Sequence, residues 1–259
     1  SFVYASGTMM KPIFAAAKSA SRKRVAYAEG EEERVLRACQ IVVDEGLARP
    51  TLIGRPAVIA QRIEQFGLRL KEELDYDIVN VEQDLRYRDF WQTYHRMMER
   101  RGVTTQIAKI EMRRRLTLIG AMLLHKGDVD GLICGTWGTT AMHLDYVDQV
   151  IGKRTGVHTY ACMNGLMLPG RQVFLLDTHV NYDPTAEQLA EITTMAAEEM
   201  MRFGIKPKVA LLSHSNFGSS NLPSALKMRQ ALALLLDKAP WLEVDGEMHG
   251  DAALSEDIR

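Results

Sequence analysis

Apolar positions along the chain alternate between two periods. Val25-Ala-Tyr-Ala-Glu29 and Thr51-Leu-Ile-Gly54 are short apolar-rich runs, and each is followed by a stretch with apolar residues every three to four positions. That pattern predicts a strand at 25–29, a helix over 31–45, a strand at 51–54, and a helix from Pro56 to Phe66 stopped by Gly67. The same rule gives a strand at 76–79, two long helices at 89–101 and 105–125, a strand at 130–135 and a helix starting near Thr139. Strands alternating with helices imply a parallel sheet covered by helices on both faces.

The character changes after Gly156. Residues 157–168 and 171–177 flank Pro169-Gly170, a strong turn signal, so two strands are expected to pair as a hairpin. A helix from Thr185 to Phe203 follows, with Pro184 ahead of acidic Glu187, then a strand at 209–212, a polar loop, a helix from Pro223 to Asp237 and a strand at 242–244. Residues 1–14 have no period and read as a linker from a preceding domain. The expected organisation is therefore a linker at 1–14, a first α/β domain at 15–155 and a second at 156–259. Each domain is read as a largely parallel sheet flanked by helices, with a ligand cleft between the two at the C-terminal ends of strands.

Composition narrows the partners. The 259 residues are 46% hydrophobic and 25% charged, ordinary globular values that argue against disorder. With 32 Lys and Arg against 33 Asp and Glu, the chain has no net field to draw it to nucleic acid or an anionic membrane. Cys39, Cys134 and Cys162 are odd in number and far apart, without metal-ligand spacing, which fits a reducing cytoplasm. No apolar run reaches the roughly 18 residues of a membrane span, and the first ten residues lack a signal-peptide pattern.

Candidate chemistry concentrates in two loops. In Val209-Ala-Leu-Leu-Ser-His-Ser-Asn-Phe-Gly-Ser-Ser-Asn-Leu-Pro-Ser224 an apolar run ends in serines, asparagines and one glycine before Pro223 opens a helix. Hydroxyls and backbone N–H groups at a helix N-terminus make an anion cradle, with Ser213, Ser215, Asn216, Gly218, Ser219 and Ser220 as contacts. The plainer reading is a strand-to-helix connection whose serines are caps. The second loop, Cys134-Gly-Thr-Trp-Gly-Thr-Thr140, again joins a strand to a helix through small residues, and it is not the G-x-G-x-x-G of a dinucleotide fold. Arg113, Arg114 and Arg115, with Arg96, Arg100 and Arg101, form a possible phosphate patch, although charge runs on helices are usually solvated faces. Asp177, Asp183, Asp245, Glu247 and Asp251 match no metal motif, and capping or turn roles explain most of them. His214 lies between Ser213 and Ser215, but neighbours in extended chain point to opposite sides, so it is read as structural.

The serine loop together with Asp245-Gly-Glu-Met-His-Gly-Asp-Ala-Ala-Leu254 resembles the "SxSxxGS … DGE(L/M)xxDAA" signature of phosphotransacetylases. Its wording is most similar to the phosphotransacetylase-like C-terminal domain of bacterial hybrid NADP-dependent malic enzymes, and the resemblance runs over nearly the whole chain. It implies that the chain is a fragment at both ends. A preceding malic enzyme domain would oxidatively decarboxylate malate with NADP and a divalent metal, Mg or Mn. The module itself would bind acetyl-CoA as effector, through Gly135, Thr136, Thr139 and Thr140 besides the serine loop, and help form a homo-oligomer. No catalytic residue, metal or cofactor is expected within this segment.

Two departures from the family pattern bear on activity. Where phosphotransacetylases carry an arginine in an "LRP" motif, Leu144 is followed by Asp145-Tyr146, and a carboxylate there would repel a phosphate. The family also places an arginine four residues before its "G-[IV]-T" motif, which is Gly102-Val-Thr104 here and puts Met98 at that position. Arg100 and Arg101 are displaced to other helical faces. The resemblance therefore implies a module without acyltransferase activity, with an active phosphate acetyl- or butyryltransferase and a purely structural oligomerisation module as the alternatives.

Overall fold

The computed structural model describes residues 2–168 and 171–258, and the chain divides into two compact units, one of Phe14–Gly152 and one made of Lys153–Arg259 together with Ser1–Ile13. The first unit is a four-stranded parallel sheet in the order β3-β2-β1-β4, built from β1 (Arg24–Tyr27), β2 (Arg49–Gly54), β3 (Asp77–Asn80) and β4 (Gly131–Ile133). Side chains alternate across it. Leu52 packs with Tyr27, Leu36, Ile59 and Tyr76 on one face, and its neighbour Ile53 packs with Ala26, Phe90, Leu118 and Met122 on the other. Both faces are apolar because helices cover both.

The helices on one face are α2 (Glu33–Asp44), capped by Glu32 accepting from the Arg34 and Val35 amides, and α3 (Pro56–Gln65), opened by proline at its first turn. On the other are α4 (Tyr87–Met98), a 3-10 turn at Glu99–Arg101, α5 (Thr105–Arg114), α6 (Leu116–His125) and α7 (Thr140–Val150). The single helix expected over 105–125 is broken at Arg115, which has extended backbone angles. Residues 113–115 are exposed whereas 117–123 are buried, and the bend turns α6 into the core while leaving the charged run in solvent.

In the second unit, β5 (Met163–Leu168) and β6 (Arg171–Leu176) pair antiparallel as expected, and the Pro169-Gly170 turn lies outside the described residues. The helix α8 (Ala186–Arg202) starts with a Thr185–Gln188 capping box and packs its small face, Ala186, Ala190 and Ala197, against Ala231 and Leu235 of α9 (Pro223–Lys238). Strand β7 (Lys208–Leu212) runs parallel to β8 (Glu243–Met248), which is followed by α10 (Gly250–Leu254). The expected strand at 242–244 is thus extended through Asp245, Gly246 and Glu247 by pairing with β7. Gly246, at φ +140°, approaches so closely that a Cβ would lie 2.7 Å from the Leu211 carbonyl. The helix α1 (Phe2–Ser19) runs through 2–14, where the sequence shows no period and reads as a linker, and on into the stretch from Ala15 that reads as the start of a helix; Lys11–Ser19 are exposed or half-exposed, so nothing imposes an apolar stripe.

Candidate functional site

Parallel pairing of Leu212 with Met248 puts the C-terminal ends of β7 and β8 side by side, and the serine loop closes over them. The Ser213 amide donates to the Met248 carbonyl (2.9 Å), and the Phe217 amide to the Glu247 carbonyl (2.7 Å). At the centre lies the Glu247 side chain, which has no exposed surface. Its Oε1 accepts from the Arg229 guanidinium of α9 at 2.8 Å, the Gly218 amide at 3.0 Å and the Ser215 hydroxyl at 3.1 Å. The same guanidinium nitrogen of Arg229 reaches the Ser220 carbonyl at 2.9 Å, tying loop, helix and strand to one ion pair. Oε2 is buried without a hydrogen-bond partner. Burial by itself pushes the Glu247 carboxyl up, but the Gly218 amide, the Ser215 hydroxyl and Arg229 outweigh it and hold the group below the usual carboxylate range.

The sequence reading groups Glu247 with acids explained as caps or turns, and the structure corrects this: its side chain is the buried acceptor at the centre of the loop. Three of the other acids do fill such roles: Asp177 accepts from the Cys162 and Asn181 amides, Asp245 from Gly246, and Asp251 from Ala252, whereas Asp183 pairs with Lys227 of α9. No local signal in the sequence reveals the Glu247–Arg229–Gly218 cluster, because it depends on which strands pair.

The predicted serine-loop residues come together in this one place but face different ways. Ser215 is buried and turned inward on Glu247, with its Oγ 3.2 Å from that of Ser213. Outward lie the exposed Ser219, whose Oγ accepts from the Asn216 amide, and half-buried Ser220, whose Oγ accepts from Leu222 and contacts His214 at 3.2 Å. His214 also meets Ser224 at 3.4 Å, so both ring nitrogens are held by hydroxyls. His249 donates from Nε2 to the His214 carbonyl at 2.8 Å and accepts at Nδ1 from Asn216 at 3.3 Å. Gly218, at φ +86° with open space around it, supplies a turn that other residues adopt only with strain.

The other predicted residues lie in the first unit. The Gly135 amide donates to buried Glu29 at 3.1 Å, Thr139 caps α7 by accepting from Met142, Thr136 is half-buried and Thr140 exposed. This loop is pinned by buried His143, which donates from Nε2 to the Trp137 carbonyl and accepts at Nδ1 from Thr117, both at 2.6 Å. Met98 is 5% exposed and packs in the core with Phe90, Tyr94 and Met112. Asp145 is exposed on α7 and accepts from Gln149 at 2.8 Å. In the arginine run, Arg113 stacks on the Tyr87 ring at 4.1 Å and Arg115 pairs with Glu111 at 3.3 Å. Arg114 and Arg115 border a cavity of about 140 Å³ with Trp137, His143 and Tyr146. Among the described residues no helix is long and apolar enough to cross a membrane.

Solved structures similar to this chain include phosphotransacetylases. The chain superposes on the EutD phosphotransacetylase from Staphylococcus aureus with a TM-score of 0.81 at 23% identity, covering 96% of this chain and 74% of that one. A phosphotransacetylase from Streptococcus pyogenes gives 0.83 at 27%, covering 96% and 76%. In sequence the chain is 54% identical over its whole length to the NADP-dependent malic enzyme of Escherichia coli (strain K12) and 50% to the NAD-dependent malic enzyme of Rhizobium meliloti, spanning 34% of each. It is 32% identical to the phosphate acetyltransferase of Escherichia coli (strain K12), over 91% of this chain and 32% of that protein. The chain thus spans about a third of the curated relatives it matches. The family model described as "Phosphate acetyl/butaryl transferase" matches residues 8–259, and the chain belongs to that family.

Proposed function

We propose that this chain is the regulatory, acetyl-CoA-binding module of a malic enzyme and has no acyltransferase activity of its own. The observation that carries the reading is the fate of the two expected cation positions. Met98 is a core residue, and Asp145 puts a carboxylate where a phosphate would need a cation, although the fold of the family is kept throughout. Retaining the scaffold without the charges that acyl-phosphate chemistry requires fits binding without turnover. The high identity to malic enzymes over the whole chain supports the partner: a domain outside this sequence that oxidatively decarboxylates malate with NADP and a divalent metal. One relative uses NAD instead by name, and the dinucleotide choice belongs to that other domain.

Acetyl-CoA is taken by the outward hydroxyls of the serine loop, with Gly135, Thr136, Thr139 and Thr140 as further contacts. The protein works as a homo-oligomer in the cytoplasm. Binding inhibits the dehydrogenase by favouring one of two states, which requires unequal affinity for them. The test is the melting temperature of the whole protein with and without acetyl-CoA. A ligand that binds only the folded state stabilises it by about 2.7 kcal/mol at a hundred times Kd. No shift at saturating acetyl-CoA would leave the module a structural role only.

A further inference from the structure

We infer that Glu247 fills the anion position of the serine loop from the inside, so that it is a positioning residue that makes the loop select an uncharged hydroxyl-and-amide stretch of ligand over a phosphate. The inference rests on the proposed effector reading for its ligand and on the structure for its geometry. A loop of serines and a glycine ahead of a helix is equipped to surround an external anion. Here the groups that would do so, the Gly218 amide, the Ser215 hydroxyl and the Arg229 guanidinium, all converge on Glu247 Oε1 within 3.1 Å. Glu247 is sealed from solvent, and its charge is one that an arriving phosphate would meet at short range.

What faces outward is neutral: the hydroxyls of Ser219, Ser220 and Ser224, of which Ser219 accepts from the Asn216 amide while Ser220 and Ser224 meet the His214 ring, so their remaining hydroxyl protons and lone pairs are what a ligand can use. These match the amides and hydroxyl of a pantetheine-type arm. The charged ends of such a ligand must be met elsewhere. Because Arg229 also holds the Ser220 carbonyl and the Asn221 side chain, at 2.9 and 3.2 Å, the ion pair fixes the outward residues as well as the inward ones.

The experiment compares the whole protein with its Glu247→Gln, Glu247→Asp and Glu247→Ala variants by amide hydrogen exchange and by acetyl-CoA titration. Gln keeps the shape and loses the charge; Asp keeps the charge and loses the reach. Both are expected to speed exchange at the Phe217 and Gly218 amides at least tenfold, to leave the α8 amides unchanged, and to raise the Kd for acetyl-CoA about tenfold. In Glu247→Ala, formate or acetate at tens of millimolar should restore slow exchange, and inorganic phosphate should bind the vacated position, whereas it should not protect the wild-type loop. Unchanged loop exchange in folded Glu247→Gln overturns the inference, and so does phosphate protection of the wild-type loop. If wild-type protein binds no acetyl-CoA, the effector reading fails, and exchange with formate rescue still decides the role of Glu247.

Discussion

The two strand-to-helix loops, 134–139 after β4 and 213–222 after β7, share a texture of small polar residues but are anchored by different chemistry. The first is held by two separate devices: a chain of neutral hydrogen bonds, in which the Thr117 hydroxyl donates to His143 and His143 donates to the Trp137 carbonyl, and the buried Glu29 carboxylate, which receives the Gly135 amide alone from the loop. The second is built on a buried ion pair, Glu247 with Arg229, that also engages the loop's glycine amide. Loop composition alone therefore does not make an anion site. Whether the donors are already engaged by an internal carboxylate decides what the loop can take from outside. Buried charge also makes the second loop the more sensitive of the two, since removing one partner of an enclosed pair costs more than cutting a neutral hydrogen bond.

The largest effect expected is the absence of phosphotransacetylase turnover in either loop's neighbourhood. Acetyl phosphate and CoA incubated with the whole protein should give acetyl-CoA far below the ~1–10³ per second of ordinary enzymes. Turnover in that range would show that the first loop needs no arginine at Met98 or Asp145. It would remove the regulatory reading with it.

The comparison sharpens with Arg229→Met set against Thr117→Val. Removing Arg229 leaves a buried carboxylate unpaired and should destabilise the second unit by about 3 kcal/mol, the low end for a broken buried pair because Arg229 keeps 29% of its side chain exposed. Thr117→Val cuts one hydrogen bond to His143 and should cost about 1–2 kcal/mol. Acid separates them further. In the wild type the folded pKa of Glu247 lies below its ordinary 4.5, so its contribution is complete above 4.5 and is lost as pH falls towards the lowered value. In Arg229→Met one of the groups that favour the charged form is gone, so the folded pKa of Glu247 should rise towards its ordinary value and the variant should lose less stability on acidification than the wild type. Urea melts of the variant and the wild type between pH 4 and 7 check the difference in slope, and parallel curves would mean that Glu247 is held by its other donors alone.

Much of this was legible before the structure. The helix starts at Pro56, Thr139, Thr185 and Pro223 are written locally, as proline or a capping hydroxyl ahead of an apolar period, and the structure has them there. The break at Arg115 has no local signal, since no glycine or proline marks it; the change from solvent to core imposes it. The end of β8 was missed for a related reason. Asp245-Gly-Glu reads as a turn, and only hydrogen bonds from β7, some thirty residues earlier in sequence, keep it extended. That one extension delivers Glu247 to the serine loop, so the residue texture of the site was readable and its interior was not.

A glycine pair gives the next comparison. Gly218 and Gly135 both sit at positive φ, +86° and +116°, without neighbours within 4 Å of a built Cβ, so substitution strains the backbone without causing a clash. Replacing Gly218 by Val should cost at least 1–2 kcal/mol of backbone strain and displace the amide from Glu247. In the full-length enzyme it should raise the acetyl-CoA concentration needed for inhibition while leaving uninhibited malate turnover nearly unchanged. Gly135→Val is expected to loosen the amide bond to Glu29 and to have the weaker effect on inhibition. If the order is reversed, the principal contacts lie in the first loop.

The smallest effect expected is Ser219→Ala, and it tests the division between inward and outward hydroxyls most directly. The Ser219 Oγ accepts from the Asn216 amide, while its hydroxyl proton has no acceptor among the described residues and is free to donate to a ligand. Losing one neutral hydrogen bond should weaken acetyl-CoA by about 0.5–1.5 kcal/mol, a factor of roughly 2 to 13 in Kd. The substituted position is exposed, so the melting temperature without ligand should hardly move. Ser215→Ala should show the opposite balance, with a clear loss of stability from a buried acceptor deprived of its donor. Its loss of affinity should follow only from the loosened loop. Equal affinity losses at both positions, with no difference in melting temperature, would mean that Ser215 faces the ligand in the bound state and that the loop turns inside out on binding.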